Sequence, residues 1–600
     1  MRPTAKTDRL LKRVLLSLLA CVAVGLAVAP QHAGAASCSL PSVRPLWIDY
    51  ADGSVPFWET FAQRGVIAAA ANFIYPPQLR ARGAKTVYWD MYLWKRVGTP
   101  TEPADPTVIV ARANRFYEYA SSSSACSTPM IAENELFGAG TVTPWSAANA
   151  QYRANVLAWL RALAARGARP VLLINSNPYT GGDAADWWRD VGKVADIVRE
   201  SYFPAPTVYQ QGPILGSRTL RNMFRRAAAS LLSIGIPPSR IGIMLGFHTT
   251  PGTGGRERLQ PAQAWFEVVK LQVLAAREVS RELHLASVWS WGWAHWKTLP
   301  GEDDPDKAAA ACVYLWTRDK RLCDGPAAAG LGFDQSLVEG QLRLPRDSRC
   351  TVGKQRVQWD TIGAIRRLTG DGQAAFTAAF ARAAAARRVG APTDSVLAAE
   401  RLIVNSRFGG SRAAYAAALA RAHASVAIAR GVIADELRRS LVAPHLRITA
   451  PTAAEIESYD EAYANASARL ISVKPAAPWL GNRKNGYAIS TNAPAQIFGL
   501  PVGKRVTVDT LLGKFKVRAL GPVMPLGALP LDWLRASIEA ALKTQARDSA
   551  YGNWLLDQEQ AALNVTICWR DQIPAVGVVP LTDYLPFLGL DAGTVTMPVS

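Results

Sequence analysis

From residue 45 to about residue 296 the chain repeats one unit: a short apolar run, a polar turn, then an amphipathic helical stretch. Eight apolar runs can be counted. They are "PLWIDY" ending near Asp49, "GVIAAA" from Gly65, "TVYWDMY" around Asp90, and "MIAENE". Then come "PVLLINS" at Pro170, "DIVRESY" ending at Glu200, "IGIMLGF" from Ile241, and "ASVWSWGW" from Ala286. Helical patterns at 147–166, 217–234 and 261–283 fill the gaps. Strands alternating with helices predict a parallel sheet, because a parallel neighbour is reached only through a crossover. Eight units over about 250 residues predict an α/β fold, a (β/α)8 barrel with its working end at the C-terminal tips of the strands.

The fourth run ends in charge. In "IAENELFG", residues 131–138, apolar residues lead into Glu133, Asn134 and Glu135. Carboxylates at a buried strand terminus cost folding energy unless they are hydrated or used. Strand alternation puts Glu133 and Glu135 on one side and Asn134 on the other. The plain alternative is a strand end whose acids point into water.

On these residues the segment 45–324 resembles the TIM-barrel glycoside hydrolases, where an Asn-Glu pair at the end of strand 4 carries the general acid. The resemblance implies that role for Glu135, and the aromatic eighth strand (Trp289, Trp291, Trp293) adds to it. Those families place a nucleophilic Glu at the end of strand 7, whereas here that strand ends Gly246-Phe247-His248. The second carboxylate must come from elsewhere. On strand 6, Asp196, Val198, Glu200 and Tyr202 share a face, so Glu200 and Tyr202 can both look into the barrel mouth. Asp90 and Asp49 are further candidates. Barrels of the α-galactosidase type use acids on strands 4 and 6, which fits a Glu135–Glu200 catalytic pair. Opposed carboxylates are what glycosidic hydrolysis needs, one protonating the leaving oxygen while the other attacks or activates water.

The substrate-binding candidates are Asn134, Glu133, Asp49, Asp90, Tyr202, His248, Trp89, Trp289 and Trp291. Each has a plain counterpart: a strand-end cap for Glu200, a structural hydrogen bond for Asp90, a loop contact for His248. Fourteen of the nineteen tryptophans precede residue 317. Indole faces over a cleft suit the C–H faces of sugars, and packing inside a barrel would need a similar number. "GTGGRERL", residues 252–259, is a rim loop and not a phosphate cradle, since no Walker-type Lys-Ser/Thr follows.

The first 35 residues read as a secretion signal: Arg2, Lys6, Arg9, Lys12 and Arg13, an apolar core at 14–29, and Ala33-Gly34-Ala35 as the cleavage pattern. The rest has no apolar run of spanning length, so a secreted, extracytoplasmic protein without a membrane span is expected. Six cysteines remain beyond Cys21, an even number that in an exported chain implies disulfides. Spacing does not fix the pairing; the expected bridges, each kept inside one structural unit, are Cys38–Cys126, Cys312–Cys323 and Cys350–Cys568. No clustered Cys/His spacing predicts a metal, and no cofactor motif is present. The formal charge of +20 falls to near +16 without the signal. That is a solvated basic surface, or one attracted to anionic cell-envelope polymers. No nucleic-acid motif accompanies it.

After Cys323 the texture changes. "DGPAAAGLGFD" reads as a linker, and residues 331–450 are Ala/Arg-rich and helical. A helix opening at Thr449 or Thr452 follows, then "SARLISV", "APWLGNRKNGYAI" and "IFGLPVGKRVTVDTLLGKFKVRAL". Leu480-Gly481, Gly486-Tyr487 and the stretch Gly503, Val508, Thr510, Gly513, Phe515, Val517 resemble the parvulin domain of SurA-type exported foldases. The resemblance implies a helical chaperone region followed by a small α+β parvulin-like domain over 451–525. It implies unfolded polypeptide as a partner, with residues 526–600 folding back on the helices. Parvulin sites carry histidines, and this chain has none after His445, so a degenerate, non-isomerising module is implied. The expected organisation is a signal at 1–35, a barrel over 36–330, and this composite second half. The expected function is an exported protein that hydrolyses or binds a carbohydrate. The competing one is a non-enzymatic foldase whose barrel is a scaffold.

Overall fold

The computed structural model describes residues 38, 40–51, 55–293, 304–324, 342–510 and 513–589. The signal segment and most of the 324–334 linker lie outside these residues. The chain divides into two compact units, residues 1–338 and 339–600.

The first unit is a closed parallel barrel of eight strands in sequential order. They are β1 (Leu46–Ala51), β2 (Ile67–Ala70), β3 (Lys85–Asp90), β4 (Met130–Glu133), β5 (Arg169–Ile174), β6 (Asp196–Ser201), β7 (Ile241–Gly246) and β8 (Ser287–Trp291). All eight predicted strands are present. Helices such as Pro106–Ser124, Ala150–Ala165 and Ala262–Glu282 cover the outside. With helices outside and side chains filling the lumen, both faces of each strand are buried, so the strands read as unbroken apolar runs.

Alternation sorts the two faces. Leu46, Ile48 and Tyr50 of β1, Val87 and Trp89 of β3, Met130 and Ala132 of β4, Val198 of β6 and Trp289 of β8 share the lumen core. The residues that alternate with them along each strand therefore point outward to the helices. At the N-terminal end of β6, Asp196 is held by Arg169 and by Arg240 at 3.2 Å. Within this unit Cys38 bonds Cys126 and Cys312 bonds Cys323.

The second unit joins a helical cluster to a four-stranded sheet. Its first sheet has the antiparallel order β10–β9–β15, with β9 Ser348–Val352, β10 Gln355–Gln358 and β15 Thr566–Cys568. Cys350 faces Cys568 across this ladder and is bonded to it. Helices Trp359–Thr369, Gly372–Arg388, Thr393–Arg407, Arg412–Arg421 and Val426–Val442 follow. Their starts are set by local chemistry: the Asp371 carboxylate accepts from Gln373 and Ala374 N–H groups, and Ser411 and Ser425 cap the later helices. Phe376, Phe380, Ile403 and Ile433 form a core that also takes Leu581, Leu585 and Leu588 from the C-terminal segment.

Helix Ala453–Ala462 opens with a capping box between Thr452 and Glu455. The second sheet is antiparallel, ordered β12–β11–β14–β13, from β11 (Ser467–Ala477), β12 (Arg483–Ile489), β13 (Arg505–Thr510) and β14 (Gly513–Pro525). Ile471, Trp479, Phe515 and Val517 bury one face, and Leu534 and Ile538 of helix Leu531–Ala562 pack with Ile456 and Tyr459. No single described helix is long and apolar enough to cross a membrane.

Candidate active site

The lumen parity that fills the barrel also decides what reaches its mouth. Continuing each inward row upward gives Tyr50 on β1, Asn175 just beyond β5, Glu200 and Tyr202 on and beyond β6, His248 beyond β7 and Trp291 on β8. Glu135 joins them from the loop after β4.

Glu200 is buried, and its carboxyl is pushed up to about 7. Burial is the main cause, the negative charge of Glu135 adds to it, and Tyr202 and the Arg199 cation pull the other way. Glu135 is half-buried; burial raises its pKa, and a hydrogen bond from Asn175 Nδ2 to its Oε2 at 3.3 Å works against that rise. The hydroxyl of Tyr202 donates to Met244 Sδ at 3.2 Å and its ring stacks on Trp291 at 5.2 Å. His248 stacks on the same indole at 5.0 Å, while its Nδ1 meets the Thr250 N–H at 3.1 Å and the Thr253 hydroxyl at 3.0 Å. Three rings thus line the β6–β8 side of the mouth.

Tyr50 was absent from the sequence candidates and is central to the site. Its ring is wedged against Trp89 at 4.5 Å and Trp289 at 5.7 Å. Its hydroxyl is buried and has no hydrogen-bond partner among the described residues. Burial holds the phenol well above its usual range, and the charges of Glu200 and then Glu135 push it further the same way. Asn175 was also missed. Tyr202, Glu200 and Trp291 lie on the inward rows at the mouth, and Asn134 is half-buried just beyond β4.

The chain matches no protein family and no curated protein. Among solved structures it is similar to a GH5-4 broad specificity endoglucanase from an uncultured bacterium, with 11% identity over 42% of this chain and 81% of that one and a TM-score of 0.28. It is similar also to a glycoside hydrolase family 5 enzyme from Prevotella bryantii B14 in complex with a xyloglucan tetradecasaccharide, at 11% identity, 46% and 95% coverage and a TM-score of 0.29. A third is active domain 2 of a Pyrococcus furiosus chitinase, at 10% identity, 48% and 98% coverage and a TM-score of 0.29. At such identities and TM-scores nothing about chemistry follows for this chain, and its barrel rests on its own closed strand pairing.

Several expected site residues lie elsewhere. Asp49 points outward from β1 and is fully buried, accepting from Ser290 Oγ and Tyr314 OH at 2.7 Å each and from Arg318 Nη1 at 2.8 Å. Asp90 also points outward, held by Arg96 Nε at 3.0 Å and Nη2 at 3.3 Å and by the Tyr92 N–H at 3.3 Å. Glu133, its neighbour across the ladder, faces the helices too, and its Oε1 accepts from Trp159 Nε1 at 2.9 Å. Burial and the Asp90 charge raise the Glu133 pKa well above the carboxylate range. The expectation that Glu133 and Glu135 share a side fails because β4 ends at Glu133, so strand alternation does not extend to Glu135. Trp289 is lumen core, its Nε1 donating to Ser287 Oγ at 2.8 Å, and Trp89 is buried beneath Tyr50. They form the floor under the mouth. Among the described residues no cluster of three His, Cys, Asp or Glu side chains could hold a metal.

Proposed function

We propose that the barrel cleaves an O-glycosidic bond in a carbohydrate, using Glu200 and Glu135 as its paired carboxylates. One observation carries this: a carboxyl buried at the barrel mouth, pushed up to about 7, that feels the charge of a second carboxylate. Burial raises both carboxyls, and two acids that are unequally enclosed can divide the acid and base roles. Glu200, the more enclosed, keeps its proton near neutrality and donates it to the leaving oxygen. Glu135, reached by solvent and bonded by an amide N–H, is the partner that attacks or activates water. This reverses the roles implied by the Asn-Glu resemblance, because Glu200 is buried and Glu135 only half-buried. The Trp291–Tyr202–His248 stack offers a face for a sugar ring. Three disulfides support an exported location.

Hydrolysis of a panel of aryl glycosides and polysaccharides tests this. Glu135→Gln and Glu200→Gln should each lower kcat by about 10³-fold or more. A dinitrophenyl leaving group, which needs no proton, should restore the Glu200→Gln rate and not that of Glu135→Gln. Wild-type hydrolysis unaffected by either change would remove the pair from the mechanism.

A second reading is favoured by β7, which ends without an acid: a barrel that binds glycan and does not cleave it. Saturable oligosaccharide binding with no turnover would select it. For the second unit we propose a non-isomerising, parvulin-like module, supported by the β13–β14 hairpin that carries the Gly503 to Val517 pattern. Residues 331–600 should give no prolyl-isomerase rate. Suppressed aggregation of an unfolded test protein would support polypeptide as its partner.

A further inference from the structure

Residues 467–525 carry nine Lys and Arg side chains and a single acid, Asp509. Much of this charge gathers on one face of the β12–β11–β14–β13 sheet. The other face is closed by Ile471, Val473, Val508, Phe515 and Val517. Alternation therefore turns Lys474, Arg505, Lys514, Lys516 and Arg518 the opposite way, and all five are exposed. The ladders set like charges against each other: Lys474 stands opposite Lys516, and Arg505 opposite Arg518. Directly opposed like charges destabilise a sheet. Asp509 answers only Lys514, at 3.7 Å, and the other four cations have no ion-pair partner among the described residues.

The same face carries an indole. Tyr487 and Ile489 of β12 lie at its other end, in one cluster with Leu534 and Ile538 of helix Leu531–Ala562. Trp533 of that helix stacks on the Tyr487 ring at 6.0 Å, with the planes 6° apart. It is 59% exposed, the highest figure for any described tryptophan. Asp532 beside it is offset by Arg535 at 3.7 Å. Tyr487 lies one alternation along β12 from Asn485, and the row Asn485–Ser472–Arg518–Arg505 crosses the sheet. Strand spacing then puts Tyr487 about 12 Å from Arg518. The ground between them, Asn485 and Ser472, is small and polar.

We propose that this face binds a carboxylate-bearing polysaccharide, with a sugar ring on Trp533 and uronate groups on Lys474, Lys516 and Arg518. Four unpaired cations on one surface match a multivalent anion, and an exposed indole suits the C–H face of a sugar. A single ring does not make the series of stacking platforms that tracks single-stranded nucleic acid. Naming the polymer a polysaccharide rests on the glycan reading of the barrel; the charge and the indole do not.

Calorimetric titration of the full-length oxidised protein with polygalacturonate, in a Glu135→Gln background so that the polymer stays uncut, tests the assignment. Saturable binding that weakens as salt rises is expected. Lys474→Ser/Lys516→Ser/Arg518→Ser should weaken it about tenfold without lowering the melting temperature, because it removes opposed like charges. Trp533→Ala should weaken it about threefold and leave the weaker binding of inorganic polyphosphate unchanged. Should the triple variant not fold, Lys516→Glu, which sets an acid among the cations, decides by the same loss. Undiminished binding by the charge variants, equal or tighter binding of polyphosphate, double-stranded DNA or phosphatidylserine vesicles, or no saturable heat would each overturn the proposal. Saturable binding with no glycoside hydrolysis by the wild type would remove the barrel reading and leave this face standing; hydrolysis without binding here would do the reverse.

Discussion

Asp49 and Tyr50 are adjacent in the chain and face opposite ways across β1, and their fates show what the sequence could and could not convey. An acid at a strand end is conspicuous, so Asp49 drew attention, yet it is locked to Arg318, Tyr314 and Ser290 behind the barrel wall. Tyr50 was legible only through parity: Leu46 and Ile48 precede it on the inward row, and that row ends at the mouth. Each row of β1 pairs apolar residues with one polar group, Tyr50 on one and Asp49 on the other, so nothing in the residues themselves marked which row was inward. Asp49→Asn should destabilise the barrel by about 3–5 kcal/mol by leaving Arg318 uncompensated, as denaturant titration would show. Tyr50→Phe should leave stability nearly unchanged, since its hydroxyl has no partner to lose. If that hydroxyl donates to the substrate in the transition state, the same variant should lower kcat about 10–100-fold with KM little altered. Glu200 adds a pH signature. Its folded pKa, about 7, lies above its unfolded value, so the native state holds the extra proton between them. Its contribution is therefore intact below pH 4.5 and is lost as pH rises through 7, by about 3 kcal/mol in all. Glu200→Gln should flatten the wild-type fall in melting temperature between pH 5 and pH 8.

At the level of elements, the eight strands were readable because each is a short apolar run bounded by turns, and no other arrangement of so many parallel strands and helices closes as simply. The end of β4 was misread for a specific reason. Alternation holds only while the chain is a strand, and it stops at Glu133, just before the Asn134-Glu135 pair. Glu133 and Asp90 then became wall residues tied to Trp159 and Arg96, with no sequence mark to set them apart from Glu135. Because a Gln amide oxygen can keep the bond from Trp159 Nε1, Glu133→Gln should keep both fold and hydrolysis, while Glu135→Gln should abolish hydrolysis; the two rates side by side check the assignment. Asn175 continues the inward row of Val171 and Leu173 and could have been found by the same rule as Tyr50. The Thr452 cap was legible as a motif, since the Thr-x-x-Glu spacing fixes its own geometry. Thr452→Ala should cost about 1 kcal/mol, measurable as a lowered denaturant midpoint for the second unit.

For the whole molecule, the six cysteines carry the most long-range information in the sequence. A boundary in composition near residue 330 separated four cysteines from two, which isolates Cys350 with Cys568 and leaves three pairings of the other four, of which Cys38–Cys126 and Cys312–Cys323 form. The Cys350–Cys568 bridge spans 218 residues and joins the two ends of the second unit across the β9–β15 ladder. In the chain-entropy view a link closing so long a loop restricts the unfolded state most, though measured gains usually fall short of that ideal. Cys350→Ser/Cys568→Ser should therefore destabilise the second unit by about 2–5 kcal/mol. Each unit holds its own hydrophobic clusters and its own bridges, so the loss should appear in one melting transition and not the other. Differential scanning calorimetry of the full chain would then show the barrel transition unmoved and the second shifted down. Glycoside hydrolysis, which the barrel alone is proposed to perform, should be unchanged in that variant below the lowered transition. A fall in hydrolysis with the barrel transition still in place would mean that the second unit takes part in the site.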